Sequence, residues 1–185
     1  MFIFGHIGIT LGIFYSLDHL FPEKNFRFDY QLVAFGSLCP DFIDKPLGRI
    51  ILAETIGSGR IFAHTLLFVI LLGLAGYLVY RRKLYSLPLV LAGASFCHLL
   101  EDRIWNSPEV LFWPLFGWGF PQDTIYGNFL EYFMVILGRA YDPVYAGVFA
   151  SEIIGLGITL LFTASYVRLK MKSSKLMKKN GFLIK

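Results

Sequence analysis

Four apolar stretches, Phe2–Leu20, Arg60–Tyr80, Leu84–Ile104 and Pro143–Leu169, constrain this chain more than anything else in it. Each is about twenty residues or longer, the length a helix rising 1.5 Å per residue needs to cross a hydrocarbon core about 30 Å thick. Such blocks are too long for the core of a soluble domain. Composition agrees: 56% of residues are hydrophobic and 16% charged, against roughly 45–50% and 25% in soluble domains. The expected fold class is all-α, a polytopic membrane helix bundle with about five spans, a short broken helix and interfacial helices. Residues 1–185 read as one integral membrane domain, with 170–185 a basic cytoplasmic tail.

In chain order, Phe2–Leu20 is a retained first helix, since it lacks the basic n-region and small-residue cleavage site of a signal peptide. Tyr30–Cys39 is too short to cross alone and runs into PDFIDKPLG, where Pro40 and Pro46 bracket Asp41 and Asp44. A broken helix and acidic loop are expected there, tolerated at membrane depth only against protein or a cavity. Leu47–Ser58 reads as a surface helix. Arg60–Tyr80 spans with His64 in its first turn, and Leu84–Ile104 spans back. Trp105–Pro121, with three tryptophans, suits the headgroup level. The segment 127–139 reads equally as interfacial or re-entrant. Cys39 and Cys97 fall in apolar segments and read as small hydrophobes rather than thiolate ligands.

Orientation follows from basic residues. One side collects Lys24, Arg27, Arg81, Arg82, Lys83, Arg168 and the lysines from Lys170 onward; the other has Lys45, Arg49, Arg60, Arg103 and Arg139. The positive-inside rule makes the richer side cytoplasmic, with the N-terminus outside. The net charge of +4 thus reflects topology and anionic lipid, and no nucleic-acid partner is expected.

GASFCHLLEDR places His98 and Asp102 four apart, on one helix face. Counting about 1.5 Å per residue from each span's start puts His6, Asp41, His64, His98 and Glu152 within roughly 5–12 Å of the outer edge of the core. Ionisable groups among lipid tails cost about 2.5–3.5 kcal/mol on insertion scales and need partners, water or a cation. Imidazole and carboxylate suit zinc, and also manganese or iron. The expected ligands of a divalent metal are therefore His6, Asp41, His64, His98 and Asp102. Asp44 is a further ligand or general base beside Asp102, and Glu152 a possible additional ligand. Arg60 and Arg103 are candidates for a substrate phosphate, which a guanidinium holds with a bidentate fork.

FGHIG, GSLCPDFIDKP, GRIFAHTLLF and SFCHLLEDRIW followed by LFWPL occur in this order over roughly residues 1–116. Together they resemble the membrane-bound, metal-dependent hydrolase family, which includes a bacterial inner-membrane member regulated by LexA. The resemblance implies a multispanning α-helical protein with a His/Asp metal site, kinship with zinc-dependent phospholipases C, and phosphoester hydrolysis. His6, Asp41, His64, His98 and Asp102 match its polar pattern. Two departures stand out: Lys45 occupies the position of a histidine in the Pro-Asp-x-Asp-His-Pro motif, and Arg60 lies four residues before His64 instead of beside it. The expected function is a membrane-embedded metal-dependent hydrolase acting on a phosphoester of a lipid or lipid-linked substrate at the outer leaflet. The rival readings are a transport protein for a metal ion or protons, and a non-catalytic membrane protein with a structural metal site.

Overall fold

Glycine meeting glycine joins the two ends of the chain. In the computed structural model, which describes residues 1–22, 28–83, 87–123 and 128–181, α1 (Ile3–Leu20) and α7 (Ala146–Gly181) cross backbone to backbone. A Cβ added at Gly8 would lie 2.1 Å from Gly155 O, and one at Gly155 would lie 2.0 Å from Phe4 O. Only glycine permits that approach, and small residues are how membrane helices come close without a hydrophobic driving force. Gly5 meets Glu152, Gly8 meets Gly155 and Gly12 meets Ile158, so the two helices run parallel.

A second parallel pair is α2 (Tyr30–Pro46) and α4 (Leu87–Glu101). Asp29 caps α2 by accepting from the Gln31 and Leu32 amides, satisfying donors a helix start leaves free. The expected break at Pro40 is absent: α2 continues through it to Pro46. Pro40 lacks the N–H that would bond Gly36 O, and the Ser95 hydroxyl of α4 donates to that carbonyl instead, at 3.3 Å. Gly36 lets α4 come near enough, since a Cβ there would lie 2.8 Å from the Ala94 Cβ. A partner helix thus compensates the defect that sequence alone reads as a break.

α3 (Leu66–Lys83) precedes α4, and Gly76 packs against Pro88 and Leu89. The expected helix from Arg60 starts only at Leu66, so His64 lies in an irregular stretch ahead of it. The expected surface helix at Leu47–Ser58 is one wide turn, Leu47–Ile51, followed by tight turns. After α4 come a short turn at Ile104–Asn106 and α5 (Pro108–Leu111). The aromatic residues that follow fold back over the 57–65 stretch: Phe62 packs edge-on against Trp113 and Phe120, at ring separations of 5.3 and 5.2 Å. Asp123 fastens this cover by accepting from the Gly59 amide and from Arg49. α6 (Phe129–Ala140) is a twelve-residue helix, about 18 Å long and too short to span. Gly127, Lys24 and Arg27 lie outside the described residues, as do 182–185 of the expected tail.

Seven α-helices and no strand are found among the described residues. Leu11, Phe14, Val33, Val90, Ala94 and Cys97 form the core between α1, α2 and α4. The outside is apolar as well: Leu67, Ile70, Leu71, Leu74 and Leu78 of α3 and Ile153, Ile154, Leu160 and Leu161 of α7 are exposed. So much contiguous apolar surface is foreign to a soluble monomer. Among the described residues, one stretch, Pro143–Lys172, is long and apolar enough to cross a membrane on length and composition; Leu87–Glu101 is a shorter apolar helix.

Candidate metal centre

The centre is built outward from Asp44, whose side chain is fully buried. One oxygen accepts from the Ile61 and His64 amides at 2.8 and 3.0 Å, and the other from the Ala63 amide at 2.9 Å. Residues 61–64 have no helical hydrogen bonds of their own for these donors, and buried amides must be paired. Asp44 therefore shapes the segment that carries His64. It also receives His64 Nδ1 at 2.7 Å. Oδ2 already accepts two backbone N–H bonds, so Nδ1 is the donor, and the lone pair of this imidazole is on Nε2.

The same logic fixes His98. Its Nδ1 lies 2.6 Å from Ser37 O, and a carbonyl only accepts, so Nε2 again holds the lone pair. His6, from α1, points its Nδ1 at Glu101 Oε2, 2.8 Å away, while Thr10 donates its hydroxyl to Oε1. His6 Nε2 is buried without a hydrogen bond; the Asp102 Oδ1 nearest it is 3.3 Å away. Three imidazoles thus have Nδ1 held by an oxygen acceptor and Nε2 turned inward. Metal-binding histidines are oriented in this way by the groups behind them.

The distances between these inward atoms discriminate between a hydrogen-bonded cluster and a cation site. His64 Nε2 and His98 Nε2 are 3.2 Å apart, and with both protons committed elsewhere neither can donate to the other. Asp41 Oδ1 lies 3.6 Å from the first and 3.8 Å from the second. Four ligands at 2.0–2.1 Å around a tetrahedral zinc ion are about 3.3 Å from each other. The observed separations are close to the edges of such a tetrahedron. Two groups bring three such atoms within 4.8 Å of one another, Asp41–His64–His98 and His6–His98–Asp102, sharing His98. Asp102 is the more heavily engaged of the two carboxylates: Arg60 Nε and Nη2 donate to its Oδ2, and the Met1 amino nitrogen lies 2.7 Å from Oδ1. Burial opposes the charge on Arg60, but Asp102 beside it holds the guanidinium pKa above its ordinary value.

The five residues expected to ligate a metal therefore fall into two triads that share His98, brought together from α1, α2, the 57–65 stretch and the end of α4. The other candidates sit differently. Asp44 takes three donors on Oδ2 and one on Oδ1, all from residues 61–64, so it acts as the organiser of that segment. Glu152 accepts from the Phe2, Phe4 and Gly5 amides at 2.8–3.0 Å. It caps α1 from a neighbouring helix, where a negative charge also suits the helix dipole. Arg60 is committed to Asp102, and Arg103 is exposed, with its backbone in the left-handed region at φ 51°. Glu101 was not singled out by sequence reasoning, although it lies beside Asp102 in the same motif. Its role depends on His6, 95 residues away, and no local spacing signals it.

Residues 1–176 match the family model described as YdjM inner membrane protein. No curated protein matches the chain. No solved structure matches it either.

Proposed function

The chain belongs to the YdjM inner membrane protein family, and on that premise we propose that it is a multi-pass, metal-dependent hydrolase of lipid phosphoesters. The observation carrying this reading is the pair of Nε2 lone pairs 3.2 Å apart, an arrangement that repels unless a cation lies between them. Asp41, His64 and His98 would hold the ion. A divalent ion of the zinc type would supply Lewis acidity and lower the pKa of a bound water to about 7. His6, with Nδ1 on Glu101 and Nε2 3.3 Å from Asp102 Oδ1, would serve as the neighbouring base, the two carboxylates stabilising its imidazolium. Asp102, held by Arg60, supports the positive charge from the other side.

The resemblance to membrane-bound, metal-dependent hydrolases supports phosphoester chemistry. The apolar seal of Leu11, Phe14, Val33, Val90 and Ala94 lies one to three turns from the cluster. It favours chemistry at one end of the bundle over passage of ions through it. The distribution of basic residues supports an outer-leaflet position for that end, on a topology in which α1, α2, α3, α4 and α7 would cross with the N-terminus outside and the C-terminus cytoplasmic. Elemental analysis of purified protein, wild type beside His98→Ala, is the direct test. Wild type is expected to hold zinc, manganese or iron stoichiometrically, to lose it on replacement of His98, and to release phosphate or a phosphorylated headgroup from phospholipids. A metal-free wild type refutes the reading. Metal that is present, without turnover on any phosphoester lipid, and whose removal unfolds the protein, identifies a structural site instead.

A further inference from the structure

An apolar groove of about 280 Å³ lies between α1, α2 and α6, walled by Phe2, Leu38, Phe42, Phe133 and Ile136, with Asp41 and Lys45 also in its lining. We propose that this groove is the substrate's chain subsite: it takes one hydrocarbon chain of an anionic lipid, and Lys45 receives the phosphate. The inference rests on the hydrolase reading and names the part of the molecule that would select its substrate.

Asp41 ties the groove to the metal centre. Its Oδ1 faces the two imidazole nitrogens, while its Oδ2 pairs with Lys45 Nζ one helical turn on. A phosphate held at Lys45 would therefore lie one carboxylate away from the reacting position. Charge selects the occupant. Lys45 is the cation in the groove's largely apolar lining, and its partner Asp41 would give up negative charge on ligating a metal, which would free the ammonium for another anion. Size narrows the choice further, since about 280 Å³ is at the small end of ligand pockets, roughly 300–1,000 Å³. The space suits part of one chain, not a whole two-chain lipid. α6 forms the far wall: Phe133 packs on Phe2, and Tyr132 beneath it is anchored by the Arg49 guanidinium, 4.2 Å from its ring centre. A second apolar groove, of about 400 Å³ between α1, α2 and α7, is lined by Leu11, Tyr15, Gln31, Thr159 and Phe162. It touches none of the clustered residues and serves as an internal control.

Photolabelling tests the assignment. The full chain, purified in a non-ionic maltoside detergent, is illuminated with dodecyl phosphate carrying a terminal diazirine, and the labelled peptides are mapped by mass spectrometry. Label is expected on α2 and α6, competed by unmodified dodecyl phosphate. Ile136→Trp and Leu38→Trp, which fill the groove from opposite walls, should each reduce it at least ten-fold while retaining wild-type metal content. Lys45→Gln should reduce it several-fold, and the matched diazirine alcohol should label without saturation. Label confined to the α1–α2–α7 groove, or undiminished in either metal-retaining tryptophan variant, overturns the subsite. Equal saturable labelling by the alcohol overturns the role of Lys45. A wild type that binds metal yet leaves the groove unlabelled sinks this inference alone. A metal-free wild type that labels there sinks the hydrolase reading alone.

Discussion

Replacing Asp44 by asparagine separates a residue that shapes the centre from one that ligates it. In the wild type, one carboxylate takes four N–H groups, three from the backbone and one from His64. An asparagine of the same shape keeps one carbonyl oxygen. If that oxygen occupies the crowded position, the amide nitrogen faces the Ala63 N–H, donor against donor. One buried unpaired donor costs about 1–3 kcal/mol, and loss of the negative charge weakens the remaining bonds. His64 Nδ1 then loses a strong acceptor, so its Nε2 becomes less basic and less well aimed. Groups standing behind metal ligands are typically worth 10–100-fold in affinity, about 1.4–2.8 kcal/mol at 1.4 kcal/mol per tenfold. Zinc affinity of Asp44→Asn, measured by competition with a chelator in detergent, should therefore fall 10–100-fold, with a lower Tm. His64→Ala and Asp41→Ala should bind no zinc over the same range. Unchanged affinity in Asp44→Asn would refute the argument that Asp44 sets the His64 tautomer. A complete loss of zinc in a folded variant would make Asp44 a ligand.

Other variants test separate parts of the design. His6→Ala should keep its zinc while turnover falls about 10²–10⁴-fold, the usual contribution of a general base; loss of zinc would make His6 a ligand. Gly8→Leu places a side chain where a Cβ alone would be 2.1 Å from Gly155 O, and overpacking of this kind costs about 1–3 kcal/mol. A thermal unfolding midpoint equal to wild type would contradict the close α1–α7 crossing. Ser95→Ala strips the Gly36 carbonyl of its replacement donor and should cost about 1 kcal/mol, read in the same melts. Glu152→Ala leaves three helix-start amides without their acceptor and should cost about 3 kcal/mol or more in total, with metal affinity reduced only through the displacement of α1.

The clustering of His6, Asp41, His64, His98 and Asp102 was legible only in part. Regular helix rise puts His6, Asp41 and His98 at similar depth, and the four-residue spacing adds Asp102, but His64 lies ahead of its helix and Glu152, counted to the same depth, turns to backbone amides. What stayed hidden depends on partners far away in sequence. Pro40 reads as a helix breaker because local sequence says nothing of Ser95, which lies 59 residues beyond Gly36 and takes over its abandoned carbonyl. Residues 60–65 read as helix because IFAHTLLF is apolar; they are irregular because Asp44 offers their amides a better acceptor than a helical turn would. Glu152 and Asp44 read as candidate chemistry by residue type, yet the structure directs both at backbone amides. Residue type signals that a buried acid has a partner, but not whether the partner is a cation or a run of N–H groups.

The clasp of Glu152 on the first turn of α1, with Gly8 against Gly155 behind it, bears on biogenesis. Every residue proposed to touch the metal has left the ribosome before Glu152 is synthesised. A nascent chain stalled after Asp123 would own a complete set of donors, yet the helix bearing His6 would lack the partner that fixes its start and its tilt. If the cluster holds a metal, its completion would therefore wait until α7 docks on α1, and a product truncated before Glu152 would be a poor scavenger of cellular zinc.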